Sequence, residues 1–324
     1  MSNNTGSNLS IQLQWKDLLL PYHDIGPRGR APKLALVADP QGTGLNGMFV
    51  LSRLAAFLRS IEAGEQRDLR LLERVLVFPT LEGLVRSSNE SDQRSRSPRT
   101  LAEAVMDLTR TAYYRVDICS ADPEIEEIPQ VRLYAPNDDE RASACLFGLP
   151  AVIERPIADI DVSSQIRAWW FCGGENFVIH AGQAGGLQTG YCEDLFRSMV
   201  AFLDRTGIVS GLRPTSEDED LHYFGLEQVF VVSAEQSGIF SSKLNVGRWV
   251  QAEETLGYIH DGFSGQIRAP VVAPVAGLLA SVRRQPLLCT GGLVAQILMP
   301  DSTAQHSLAQ RLGERHERRI GRGR

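Results

Sequence analysis

The residues of this chain that could do chemistry start at the end of an apolar run. Residues 34–38 (LALVA) stop at Asp39 and Pro40, pass through Gly42 and Gly44, and hand over to an amphipathic stretch, 45–58. This reads as a buried strand, a tight loop and a helix. Ligands of open α/β sheets sit beyond the carboxyl ends of the strands, which puts Asp39, Gln41, Gly44 and Asn46 at the candidate site. Two more apolar runs end on reactive types: residues 114–120 (YRVDICS) carry Asp117 and Cys119, and residues 176–179 (NFVI) are followed by His180. Arg94 and Arg96, in the polar stretch 86–99, could hold an anion or simply face water. The five cysteines (Cys119, Cys145, Cys172, Cys192, Cys289) contain no CxxC pair and read as reduced thiols, mostly core filler. There is no histidine between His23 and His180, and His23, His222, His260 and His306 fit no motif.

These residues need a scaffold, and the patterning supplies one. Strand candidates at 34–38, 71–79, 114–120, 131–136, 151–153 and 176–179 alternate with helical spacing at 45–58, 100–113, 140–148, 163–170 and 187–207. That alternation predicts an α/β domain over 31–215, a mixed sheet flanked by helices. A polar lead-in (1–30) precedes it and an acidic linker (216–225, with SEDED) follows. Short strands spaced by Gly and Pro then predict a small all-β, barrel-like domain over 226–300. Trp169, Trp170 and Phe171 are either core or a contact patch, since three adjacent aromatics cannot share one face of a regular element.

The loop phrase LNG (45–47), the strand ends and the C-terminal phrases SGIFSSKLNVGRWVQAEETLGYI and APVAGLLASVRRQPLLCTGGLVAQI resemble the succinylglutamate desuccinylase/aspartoacylase family, zinc amidohydrolases of carboxypeptidase-like fold. The resemblance runs over about residues 31–300 through element order and glycine placement. It implies three zinc ligands and a general-base glutamate, and at those positions this chain has Gln41, Gly44, Cys119 and His180. Asp117 keeps the family's residue type. In the loop where the family has a substrate-binding Asn-Arg pair and a Phe-Pro-Gly turn, only Pro98 matches, leaving Arg94, Arg96 and Asn46 as substrate-binding candidates. The β-domain resembles biotinyl-carrier modules but has no lysine in a Met-Lys-Met turn.

Zinc hydrolysis of this kind needs three ligands and a carboxylate to take a proton from the bound water. With all four positions changed, the expectation is no zinc and a non-hydrolytic subunit that binds a protein partner, either an active homologue or another enzyme. The alternative is a hydrolase or acyl-transfer enzyme acting on an amide-linked small substrate. It would use a Cys119 thiolate with His180 as base, or a metal site rebuilt from Asp39, Cys119 and His180. A net charge of -6 gives no case for nucleic acid. No run reaches membrane-span length and the N-terminus is not a signal peptide, so a soluble cytoplasmic protein, possibly a homo-oligomer, is expected. The tail 301–324 carries, over 302–324, six arginines against two glutamates, locally +4, and reads as a disordered solvated tail or a docking segment for an acidic surface.

Overall fold

The computed structural model describes residues 11–15, 18–38, 44–79, 98–160, 169–212 and 221–300. The chain divides into two compact units. The first takes Met1–Ser120, Ile160–Ile179 and Gly185–Ser216, and the second takes Ala121–Asp159, His180–Ala184 and Glu217–Arg324. Residues 121–159 and 180–184 therefore group with the C-terminal half of the chain, inside the span that the patterning reads as one α/β domain.

The first unit is built around β3 (Leu34–Ala38), every residue of which is buried. A strand buried on both faces reads as a continuous apolar run, and LALVA is one. It runs parallel to β5 (Val75–Phe78) on one side and to β6 (Tyr114–Ala121) on the other. The expected polar lead-in is corrected here: β1 (Ile11–Trp15) and β2 (Leu18–Ile25) form an antiparallel hairpin, and β2 pairs with β5. Two contacts hold β2 in place. Arg74 donates to both carboxylate oxygens of Asp24 (2.8 and 2.9 Å), and Tyr22 stacks on Phe78 with ring centroids 5.1 Å apart. The strand order continues from β6 to β9 (Glu175–Gln183), which is longer than predicted, so that His180 lies within the strand. A two-stranded ladder joins β4 (Arg70–Leu71) to β10 (Val209–Ser210).

Helix α1 (Leu45–Glu62) buries Asn46, Gly47, Val50, Leu51, Leu54, Ala55, Leu58 and Ile61, one face at helical spacing. α2 spans Pro98–Thr109, and α4, numbered after the second unit's α3 (Asp138–Ala144), spans Thr189–Arg205. The chain after α4 turns at Gly207, whose φ of 70° is the left-handed conformation glycine allows at such a stop. Of the helix expected at 163–170, residues 161–168 lie outside the described set, while Trp169 and Trp170 are helical. The aromatic triplet is split: Trp169 is fully buried and donates to Thr109 Oγ1 at 2.8 Å, and Trp170 and Phe171 face solvent. Arg115 on β6 is also fully buried. Its guanidinium donates to Asn176 Oδ1 and to the carbonyls of Arg110, Ala112, Cys172 and Gly173.

The second unit holds β7 (Ile125–Tyr134), β8 (Ala151–Arg155) and β11 (His222–Phe224), in which β8 lies parallel to both others. β7 changes partner along its length. Ile125–Glu127 pair antiparallel with β17 (Gly277–Arg283), and Gln130–Tyr134 pair with β8. Pro129, which has no N–H to give a ladder, sits at the changeover. β19 (Leu293–Leu298) and β12 (Val229–Ser233) extend the β17 ladder, and β14 (Trp249–Val250) pairs with β17. A separate antiparallel sheet has the order β16 (Ile267–Val272), β15 (Thr255–His260), β13 (Gly238–Ser242), β18 (Leu287–Leu288). Phe240, Leu256, Ile259, Val271, Leu279, Val282 and Ile297 form the shared core, the barrel-like packing expected of the C-terminal strands. All seven residues of β17 are buried because the strand serves two cores; Leu278 and Ala280 pack with Ile128, Ile153 and Phe224 instead. Among the described residues no helix is long and apolar enough to cross a membrane.

Candidate functional site

In the first unit the strand-end loop leads from β3 into α1. Asp39 and Gln41, with residues 39–43, lie outside the described set, as do Arg94 and Arg96. Gly44 is buried at the N-cap of α1 and brings no side-chain donor. Asn46 is 1 % exposed and its carboxamide is engaged: Oδ1 accepts from the backbone N–H of Gln188 (2.8 Å), and Nδ2 donates to Gln188 Oε1 (3.2 Å). Cys192 Sγ also donates to Asn46 Oδ1 at 3.5 Å, and burial raises this thiol's pKa, which keeps it protonated. Asn46 thus ties the start of α1 to the start of α4. The next residue, Gly47, has no room for a side chain, since a Cβ there would stand 2.7 Å from the Ile118 carbonyl oxygen of β6. The Leu-Asn-Gly phrase therefore does framework work, joining one helix to another and to the central sheet. Asp117, 2 % exposed, lies on β6 level with Val37, and Cys119 follows it, partly buried, near the end of the same strand.

The second unit contains His180 and two partners that sequence reading did not single out. Arg132 Nη2 donates to Glu127 Oε1 at 2.6 Å. His180 Nδ1 lies 3.3 Å from Glu127 Oε2, near enough for an ion contact but not aligned as a good hydrogen bond, and His180 Nε2 lies 3.4 Å from Arg132 Nη1. The side chains are nearly out of water, at 8 % exposure for Glu127, 12 % for Arg132 and 15 % for His180. Burial pushes the Glu127 carboxyl up, but the charge of Arg132 and the contact with His180 outweigh it and hold the pKa down at about 2. For His180, burial and then Arg132 push the pKa below the ordinary value; Glu127 pulls it up without cancelling them, and Arg155 adds to the lowering. The imidazole is neutral at pH 7. A guanidinium can only donate, so Nε2 must accept from Arg132, which puts the proton on Nδ1, facing Glu127. Arg132 Nε and Gln130 Oε1 are buried nearby without hydrogen-bond partners.

The sequence did hold a signal for this cluster. The segment IEEIPQVRLY places Glu127 and Arg132 in an otherwise buried strand, and buried charges are found paired. The identity of the third member could not be read, because His180 lies 48 residues from Arg132. Cys119 belongs to the first unit and His180 to the second.

A tetrahedral zinc site needs three protein donors converging on one point. Among the described residues no group of three or more His, Cys, Asp and Glu side chains is placed to hold a metal ion. The described residues therefore do not fit the zinc that the family resemblance implies.

No protein-family model and no curated protein matches the sequence. Solved structures do match it. The succinylglutamate desuccinylase/aspartoacylase from Rhodobacter sphaeroides is 17 % identical with a TM-score of 0.69, over 90 % of this chain and 94 % of that one. An aspartoacylase family protein from Mesorhizobium loti has 17 % identity and a TM-score of 0.69, over 88 % and 90 %. The ectoine utilization protein EutE (DoeB) from Ruegeria pomeroyi, bound to product, has 17 % identity and a TM-score of 0.67, over 87 % and 89 %. The chain thus has the carboxypeptidase-like fold of these proteins along most of its length, as the sequence resemblance implied.

Proposed function

We propose that this chain is a non-hydrolytic relative of the succinylglutamate desuccinylase/aspartoacylase proteins, one that keeps their fold to bind a partner, either an active homologue or another enzyme. The observation that carries the reading is the state of His180. It stands where the resemblance puts the glutamate that takes a proton from zinc-bound water, and both its ring nitrogens face charged side chains, Nδ1 at 3.3 Å from Glu127 Oε2 and Nε2 at 3.4 Å from Arg132 Nη1. A general base must turn a free lone pair toward the proton it removes. The free cysteines suit a reducing compartment such as the cytoplasm.

The test is elemental analysis of the untagged protein grown with added zinc, alongside hydrolysis assays on N-acetyl-aspartate and N-succinyl-glutamate. The expected result is zinc far below stoichiometry and no turnover. Near-stoichiometric zinc with hydrolysis of either compound would overturn the proposal. The competing reading is a hydrolase or acyl-transfer enzyme on an amide-linked small substrate that uses Cys119 and His180. The Cys119→Ser variant separates the two. A binding subunit retains partner capture unchanged, whereas a thiol enzyme loses turnover of an activated ester while staying folded.

A further inference from the structure

We draw no further inference here: the strongest candidate, the side-chain cluster on β7 and β17 in which Gln130 Oε1 and Ser281 Oγ lie buried without hydrogen-bond partners among the described residues, Ser281 standing opposite Glu127, belongs to the site already described.

Discussion

Arg115 and Arg132 are both largely out of water, and they are satisfied in opposite ways. Arg115, in the first unit, gives its guanidinium to the backbone carbonyls of Arg110 and Ala112 before β6, to those of Cys172 and Gly173 before β9, and to the carboxamide of Asn176. Arg132, in the second unit, spends its terminal nitrogens on Glu127 and His180 and leaves Nε bare. The first arrangement uses neutral acceptors to fix a backbone path, and nothing in it needs to titrate. The second gathers an acid, a base and a cation, and it is left incompletely paired.

The comparison can be broken from the Arg115 side with the largest effect. Arg115→Met should destabilise the protein by at least about 4 kcal/mol, because several buried carbonyls lose their donor at about 1–3 kcal/mol each. Arg115→Lys should restore little, since a single ammonium cannot reach acceptors on both sides. Chemical denaturation followed by circular dichroism reads both, and a loss below about 1 kcal/mol for Arg115→Met would show that the carbonyls find other donors. Glu127→Gln should cost about 3 kcal/mol by leaving Arg132 charged and unpaired in a dry site. In the Glu127→Gln/Arg132→Met double variant most of that loss should return. Strict additivity of the two single losses would mean that the pair is not coupled.

The finest discrimination comes from pH. The pKa of Glu127 in the folded state, about 2, is below its ordinary value of 4.5, so its contribution is full above pH 4.5 and is lost as pH falls toward 2. His180 is also shifted down from 6.5, so the unfolded chain binds the proton more readily and stability starts to fall as pH drops below 6.5. Both groups therefore make the protein acid-sensitive. Unfolding free energy measured from pH 8 to 4 should decline from about the ordinary histidine pKa downward, and His180→Asn should remove the upper part of that decline. Stability that rises on acidification through this range would contradict a neutral His180.

Much of the fold could be read from the sequence because its signals are local. The run LALVA, the helical spacing of α1 and α4, the Gly207 stop and the Gly- and Pro-spaced strands after residue 226 each announce themselves within a few residues. The β1–β2 hairpin was passed over although IQLQW alternates at the period of a strand; Pro21 and the polar surroundings drew the reading toward a lead-in. The site was less legible. Asn46 and Gly47 could be located from the family phrase, but their work depends on Gln188 and Ile118, more than 70 residues away or more. Glu127 and Arg132 on β7 meet His180 because β9 is a neighbour of β7 in the strand order, and no local period encodes that.

The strand β17 limits how this architecture can be inherited. It is covered on both faces, by Phe240 and Ile297 among others on one and by Ile128, Ile153 and Phe224 on the other. The second covering includes Ile128 and Ile153, which precede β17 by more than a hundred positions. A gene segment encoding only 226–300 would carry the barrel-like half without Ile128 and Ile153, and so with one side of its central strand stripped. The C-terminal half is not a cassette that recombination can move to another protein; it has to be passed on together with the stretch of chain that surrounds His180.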